Sequence, residues 1–340
     1  MVSGAAAKGT QSGRDCTWRQ WGVFSKGSGK PIRLAETNEG EDLVLDWISH
    51  MAFVRRLKFG TIKSKVGQLN ANHVLRGWGA PLDTFKRVKM ALDHLRRLSG
   101  PPKRKHPAGP PVLRRCMQLA ARWSARDRLT LRLLLTVGFS FMLRSSEFLS
   151  RGGAGWDFQK IVRGKDLILK QDGVRVDMAD PDSVACANEL AVHLRASKSD
   201  QFNEGCLLTH HLASEDQRDL CVVRAARDLA LFAPEIFLEE ELLPVSRWES
   251  SKPVTRDQVR RLLAEAAAAE GIPESEMGVH SLRSGGASAL YHASGGNKAL
   301  VQRLGRWASE AFQGYIWEDR TLTYNLASAM LQAPWSVHRT

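Results

Sequence analysis

The sequence predicts a mainly α-helical chain with one small antiparallel β-sheet, an α+β protein, and three observations carry that expectation. Apolar residues recur at helical spacing through most of the 340 residues. The period shortens to two only around residues 166–194. A Pro- and Gly-rich stretch over 99–111 separates two helical regions, in keeping with a prior of about 150 residues per domain. With 43% hydrophobic residues the chain can bury a sizeable core.

Residues 1–40 are rich in Gly, Ser, Lys and Thr with little periodicity, which predicts a flexible arm with one short ordered piece near Trp18 to Phe24. From 41 to 98 the spacing of Leu43, Val44, Trp47, Ile48 and Met51, and then of Phe85, Val88, Leu92, Leu95 and Leu98, predicts a small helical domain. The segment SGPPKRKHPAGPP, residues 99–111, holds five prolines and two glycines beside a basic cluster and reads as a linker. The second domain follows, over 112–340. Its helices come first, and then DLILKQDGVRVDM sets two short β-rich runs around a Gln-Asp-Gly turn. Leu190, Val192 and Leu194 alternate before a second turn, SKSDQFNEG, so about three strands are expected. Helices resume near residue 216. Thr255 and Gln258 form a capping-box pattern, Gly271 and Pro273 stop that helix, and the remainder reads as helical to about 332.

A formal charge of +13 implies a polyanionic partner, most simply nucleic acid. Between Lys86 and Arg115 ten Lys and Arg residues stand against Asp93 alone, and Lys86, Arg87, Lys89, Lys103, Arg104 and Lys105 are the candidate phosphate contacts. PPKRKHP reads as a phosphate-contacting linker in preference to a nuclear import signal. The five cysteines are odd in number and scattered, which reads as reduced and intracellular. No signal-peptide pattern and no membrane span are expected, because the longest apolar run, 129–143, is interrupted by Arg132. FSKGSGKPI lacks the spacing of a P-loop, and Cys206, His210 and His211 lack a second ligand pair for zinc. No metal and no cofactor are implied.

Four short stretches look chemical. GVHSLRSGGASAL puts His280 and Arg283 on one helix face, where both can address one anion. LRSSEFL puts Arg144 and Glu147 three apart after an apolar helix, where an Arg calls for an anionic partner. Lys198 stands at the second turn, and LGRWASEAFQGYI carries Trp307 and Tyr315. Each has an ordinary alternative, such as a packed Arg stem or a His satisfied by a carbonyl.

Taken in order, LRSSE, SKSDQ, HSLR, GRW and a following Tyr resemble the signature of the tyrosine recombinase, or phage integrase, family over residues 112 to 320. The GRW...AF..YI string looks most like recombinases of eukaryotic mobile elements. The resemblance implies an integrase-type catalytic domain, and it implies that the helical region before it is a core-binding, DNA-binding domain. It assigns Arg144, Lys198, His280, Arg283, Trp307 and Tyr315 to the catalytic set, with Tyr315 as nucleophile. Trp307 stands where many members have His, and it lies eight residues before Tyr315, one fewer than in many bacterial members. Tyr324 lies beyond the motif.

The residue types suit attack on a phosphodiester. Guanidinium forks can hold nonbridging oxygens bidentately, an imidazole can take the phenol's proton, and Lys198 can protonate the departing oxygen. The resemblance further implies a 3′-phosphotyrosine intermediate, double-stranded DNA as partner, a homotetramer assembled on it, and a DNA-associated location that is nuclear if the host is eukaryotic. The C-terminal stretch LTYNLASAMLQAPW is expected either to dock on a neighbouring protomer or to close its own core. A catalytically dead DNA-binding relic and a type IB topoisomerase remain as alternatives.

Overall fold

The computed structural model describes residues 8–101, 104–152, 155–197, 200, 204–238 and 242–317. The chain forms two compact units that divide between Lys103 and Arg104, inside the Pro-rich stretch.

The first unit is helical. It contains α1 (Lys8–Gly27), α2 (Asn38–Ser49, continued by a π-helical turn His50–Val54), α3 (Phe59–Leu75) and α4 (Lys86–Leu98). The expected flexible arm is corrected here: α1 runs well beyond Trp18–Phe24, and Trp21 is wholly buried with Val44, Trp47, Ile48 and Leu69. Its low-complexity appearance hid one apolar stripe, Trp18, Trp21 and Phe24, which a polar majority diluted. Residue 34 is also tied in, since its amide donates to Nε2 of the buried His73, whose Nδ1 lies 3.0 Å from the Leu69 carbonyl oxygen. Thr37 caps α2, accepting from the Gly40 amide at 3.3 Å. α4 has no cap of its own, and Glu41 of α2 supplies one, its Oε1 accepting from the amides of Arg87 and Val88.

The second unit begins with α5 (Pro110–Leu119), α6 (Ala125–Ser140) and α7 (Ser145–Phe148). Next come β1 (Leu167–Gln171), β2 (Val174–Arg175), α8 (Pro181–Cys186), β3 (Glu189–Leu194) and β4 (Cys206–His211). The unit continues through α9 (Val222–Phe232), α10 (Arg256–Ala269), α11 (His280–Ala293) and α12 (Lys298–Leu304) to a 3₁₀ turn, Glu310–Tyr315. The four strands form one antiparallel sheet in the order β2-β1-β3-β4, one strand more than expected. Asp172 and Gly173, both at positive φ, make the tight β1–β2 turn. The apolar run 129–143 is largely α6, buried on most sides, and the Arg132 that interrupts it is a bridge: its Nη1 donates to Asp228 of α9 and its Nε to the Asp219 carbonyl. Thr255 and Gln258 form the capping box at the start of α10, and Gly271 at φ 76° follows its end.

The reading of 99–111 as a linker also needs correction. Pro110 and Pro111 open α5, where a missing amide hydrogen costs nothing. Residues 104–108 lie along the second unit as an extended strap: the His106 amide donates to Glu276 O at 2.8 Å, the Ala108 amide to Ser281 O at 2.8 Å, and Ala108 is wholly buried. Among the described residues no helix is long and apolar enough to cross a membrane. Tyr324 and the expected C-terminal helix lie outside the described residues.

Candidate active site

The site is assembled from three places where helices begin or end. The first follows α6. Met142 takes a left-handed backbone, φ 48°, which turns the chain so that Arg144 leads into the one-turn α7. Glu147, fully buried, accepts from the Arg144 amide at 2.8 Å and from Arg144 Nη1 at 3.1 Å. This carboxylate is the anionic partner that the Arg in LRSSE calls for.

The second place is the start of α11, which begins at His280. The small residues of HSLRSGGA have a packing reason. A β-carbon on Gly285 would stand 2.1 Å from the Ala108 carbonyl oxygen, and one on Gly286 would stand 2.0 Å from that of Phe139. Only glycine lets α11 lie this close to the strap and to the end of α6. That contact carries Arg283 inward, to 0% exposure. Its Nη1 donates to Met142 O and its Nη2 to Gly305 O at 2.6 Å.

The third place is the segment after α12. Gly305 ends that helix, Arg306 takes a left-handed φ of 59°, and the Trp307 ring lies beneath Arg283, whose Cζ is 4.1 Å from the ring centroid. The 3₁₀ turn then brings Tyr315 alongside. Its ring centroid is 5.0 Å from Trp307's, 4.9 Å from His280's and 5.6 Å from Arg283 Cζ. Buried Phe312 and Ile316 anchor the turn, and Ser288 Oγ of α11 donates to Tyr315 O at 3.3 Å while accepting from the Trp317 amide at 2.9 Å.

The electrostatics follow from this crowding. Burial first, and then Arg144 and Arg306, push the Arg283 guanidinium below its ordinary value, with Glu147 and Tyr315 opposing. Burial, then Arg283 and Arg144, lower His280 from its ordinary 6.5. The imidazole is therefore neutral at pH 7 although one side of it is open to solvent. Arg144 and Arg306 both pair with Glu147, and Arg283 lies near enough to feel all three, so positive charge predominates among these four groups.

Of the sequence candidates, Arg144, His280, Arg283, Trp307 and Tyr315 come together, and Lys198, in the β3–β4 connection, lies outside the described residues. The bidentate phosphate contact expected of Arg283 meets a different arrangement, since each of its Nη atoms already donates to a carbonyl. Among the described residues its Nε has no acceptor. Sequence reasoning missed Arg306, whose Nη2 donates to Glu147 Oε2 at 3.1 Å and to Met142 O at 3.2 Å. Nothing in a periodicity marks a residue whose position depends on a left-handed φ.

The basic candidates outside the cluster divide. Lys86 and Lys89 are exposed on α4. Arg87, its side chain 46% exposed, is paired with Glu41 at 2.8 Å and Asp42 at 2.7 Å, which ties α4 to α2. Arg104 is exposed at a cavity of about 460 Å³ shared with Lys298 and Trp317, Lys105 Nζ donates to Ser275 O, and Lys103 lies outside the described residues. His210, one of the residues weighed for zinc, is engaged elsewhere: its Nε2 lies 2.9 Å from Ser140 O and its ring packs edge-on against Phe141. Among the described residues no group of three or more His, Cys, Asp or Glu could hold a metal ion.

A mainly helical unit with a four-stranded antiparallel sheet, preceded by a helical unit, is the fold of the integrase-type tyrosine recombinases. Among solved structures, a Tn1549 transposon integrase in complex with transposon right end DNA is similar at TM-score 0.54 and 12% identity, over 96% of this chain and 95% of that one. XerH site-specific recombinase, bound to a palindromic difH substrate in a post-cleavage complex, matches at TM-score 0.52 and 14% identity, over 86% of this chain and 72% of that one. A lambda integrase dimer bound to a COC′ core site matches at TM-score 0.50 and 15% identity, over 92% of each chain. No family model matches the sequence. No curated protein matches it either.

Proposed function

We propose that the chain is a site-specific tyrosine recombinase that cuts and rejoins double-stranded DNA through a 3′-phosphotyrosine intermediate. The observation that carries this reading is the placement of Tyr315 beside a neutral imidazole and 5.6 Å from the Arg283 guanidinium, whose surroundings include Arg144, Arg306 and Glu147. A tyrosine there can attack a phosphate that the cluster has drawn in. The new bond joins Tyr315 Oη to phosphorus, and the bond to the 5′ oxygen breaks. The phenol's proton passes to His280, which is neutral at pH 7 and adjacent. Arg144, partly exposed, meets the nonbridging oxygens, while Arg283 behind the rings supplies a fixed positive charge that rises in value as charge builds on the phosphate. Lys198 is the proposed proton donor to the leaving oxygen. The phosphotyrosine bond stores the energy of the cut bond, so rejoining needs no nucleotide cofactor.

On this reading the first unit is the DNA-embracing core-binding domain, four protomers assemble around two duplexes, and the protein acts where the DNA is, in the nucleus of a eukaryotic host. The fold shared with DNA-bound recombinases and integrases supports it. The test is a nicked suicide substrate carrying the flanks of the coding region. Wild type should form a covalent protein–DNA adduct and Tyr315→Phe should bind equally and form none. An adduct that survives in Tyr315→Phe and vanishes in Tyr324→Phe moves the nucleophile. Relaxation of supercoiled DNA without joining of paired sites makes the protein a topoisomerase, and binding without any adduct makes it a relic.

A further inference from the structure

Two observations single out Arg306. The first concerns the backbone. Gly305, the residue best able to adopt a left-handed conformation, sits at φ −79°, while its neighbour Arg306 holds φ 59°. Glycine is needed at 305 for another reason, because a β-carbon there would lie 1.5 Å from the Trp307 ring. The chain thus places a long, branched cation in the strained position of the turn. Strain of this kind persists where the side chain's reach makes it worthwhile.

The second concerns charge. Arg306 Nη2 donates to Glu147 Oε2 at 3.1 Å, while Glu147 Oε1 accepts from Arg144 at 3.1 Å. The same Arg306 nitrogen reaches Met142 O at 3.2 Å, the carbonyl that also receives Arg283. Arg306 therefore touches both supports of the cluster: the carboxylate that holds Arg144 and the carbonyl that holds Arg283. Its side chain is only 10% exposed, and that of Glu147 is 0% exposed, so water screens their attraction little.

We propose that Arg306 is a positioning residue for phosphate at this site, acting by balancing Glu147 so that Arg144 keeps its charge for the substrate. The proposal rests on the recombinase reading above. Counted over Arg144, Arg283, Arg306 and Glu147 alone, the guanidiniums exceed the carboxylate by two charges. Removing Arg306 leaves an excess of one among these groups and leaves Arg144 as the guanidinium paired with Glu147. Removing the carboxylate's charge as well restores the excess to two. Arg306 thus differs from a residue that grips phosphate itself, whose loss a neutral Glu147 would not repair.

The experiment is a double-mutant cycle on the full chain with Arg306→Ala, Glu147→Gln and the pair, plus Arg306→Lys. Two quantities are read in each protein: the single-turnover rate of adduct formation on the suicide duplex, and the stabilisation against heat by inorganic phosphate. Arg306→Ala should slow adduct formation about 100-fold while changing duplex affinity less than about 3-fold. Adding Glu147→Gln should recover about 10-fold of that loss, and Arg306→Lys should recover part of it by charge alone. Independent, multiplying losses in the pair overturn the proposal, as does an Arg306→Ala protein that cleaves at the wild-type rate. Should Arg306→Ala fail to fold, the comparison of Arg306→Lys with and without Glu147→Gln carries the same decision. If wild type itself forms no adduct, the recombinase reading fails, and phosphate stabilisation alone then judges Arg306: equal stabilisation of wild type and Arg306→Ala sinks it.

Discussion

The guanidinium of Arg283 lies 4.1 Å above the indole of Trp307, and that stacking is the floor of the site. A planar cation on an aromatic face keeps its edges for hydrogen bonds while its underside is kept dry. Replacing Trp307 with Ala opens a hole beneath a buried charge and should lower stability by about 3 kcal/mol. Trp307→Phe should cost about 1 kcal/mol and keep most of the cleavage rate. Thermal melts and single-turnover cleavage of both variants check this, and equal behaviour of Phe and Ala would remove the stacking from the account.

Arg144 is the more accessible of the two motif arginines, its side chain 19% exposed where Arg283 is wholly covered. Arg144→Ala should therefore cost about 3 kcal/mol in transition-state stabilisation with a much smaller loss of duplex affinity. Comparable losses in binding and in cleavage would make Arg144 a plain DNA contact. The melting temperature serves as control, since Glu147 keeps Arg306 as a partner when Arg144 is gone.

His280 sets a pH dependence whose sign follows from its lowered value. The unfolded chain takes up this proton near pH 6.5 and the folded chain takes it up only at lower pH, so below about 6.5 the unfolded state holds more protons. Stability is level above that point and falls as pH drops through it towards the folded value. His73 and His210 are shifted in the same direction, so the contribution of His280 is the difference between wild type and His280→Asn. Melting curves between about pH 5 and pH 8 should show wild type losing more stability than the variant on the acid side. Parallel curves would mean that neither burial nor the two arginines lower this imidazole.

The basic residues divide into two kinds with opposite signatures. Replacing Lys103, Arg104 and Lys105 together with Ala should flatten the dependence of log affinity on log salt by up to ~3 units while the protein stays folded. Arg87→Ala should leave that slope unchanged and lower the melting temperature, because its guanidinium is held by Glu41 and Asp42. Filter binding across a salt series, with melts alongside, distinguishes them. A flattened slope in Arg87→Ala would return that residue to the DNA-binding set.

Most of the second unit was legible because its signals are local. The Asp-Gly turn, the Thr255 capping box and the start of α11 at His280 are each written in a few neighbouring residues. Four of the site's motifs could be found by string alone, and Glu147 by its spacing from Arg144. What was not legible depends on distant partners. α1 looked like a tail because the evidence for it, Trp21 beneath Trp47 at 5.2 Å, lies in another helix. The ion pairs of Arg87 involve residues 45 and 46 positions away, so a basic run looked uniformly free when one member was already committed. The strap over 104–108 looked solvated because prolines and lysines say nothing of the amides between them.

That strap decides where the second unit can be cut from the rest. A fragment begun at the first turn of α5 would lack the Ala108 carbonyl on which Gly285 rests and the amides that occupy Glu276 O and Ser281 O. It would leave a slot along the very helix that presents His280 and Arg283, open for solvent or for a stray peptide to enter. The minimal self-contained piece begins at or before Arg104, six residues earlier than the helix boundary at Pro110 invites.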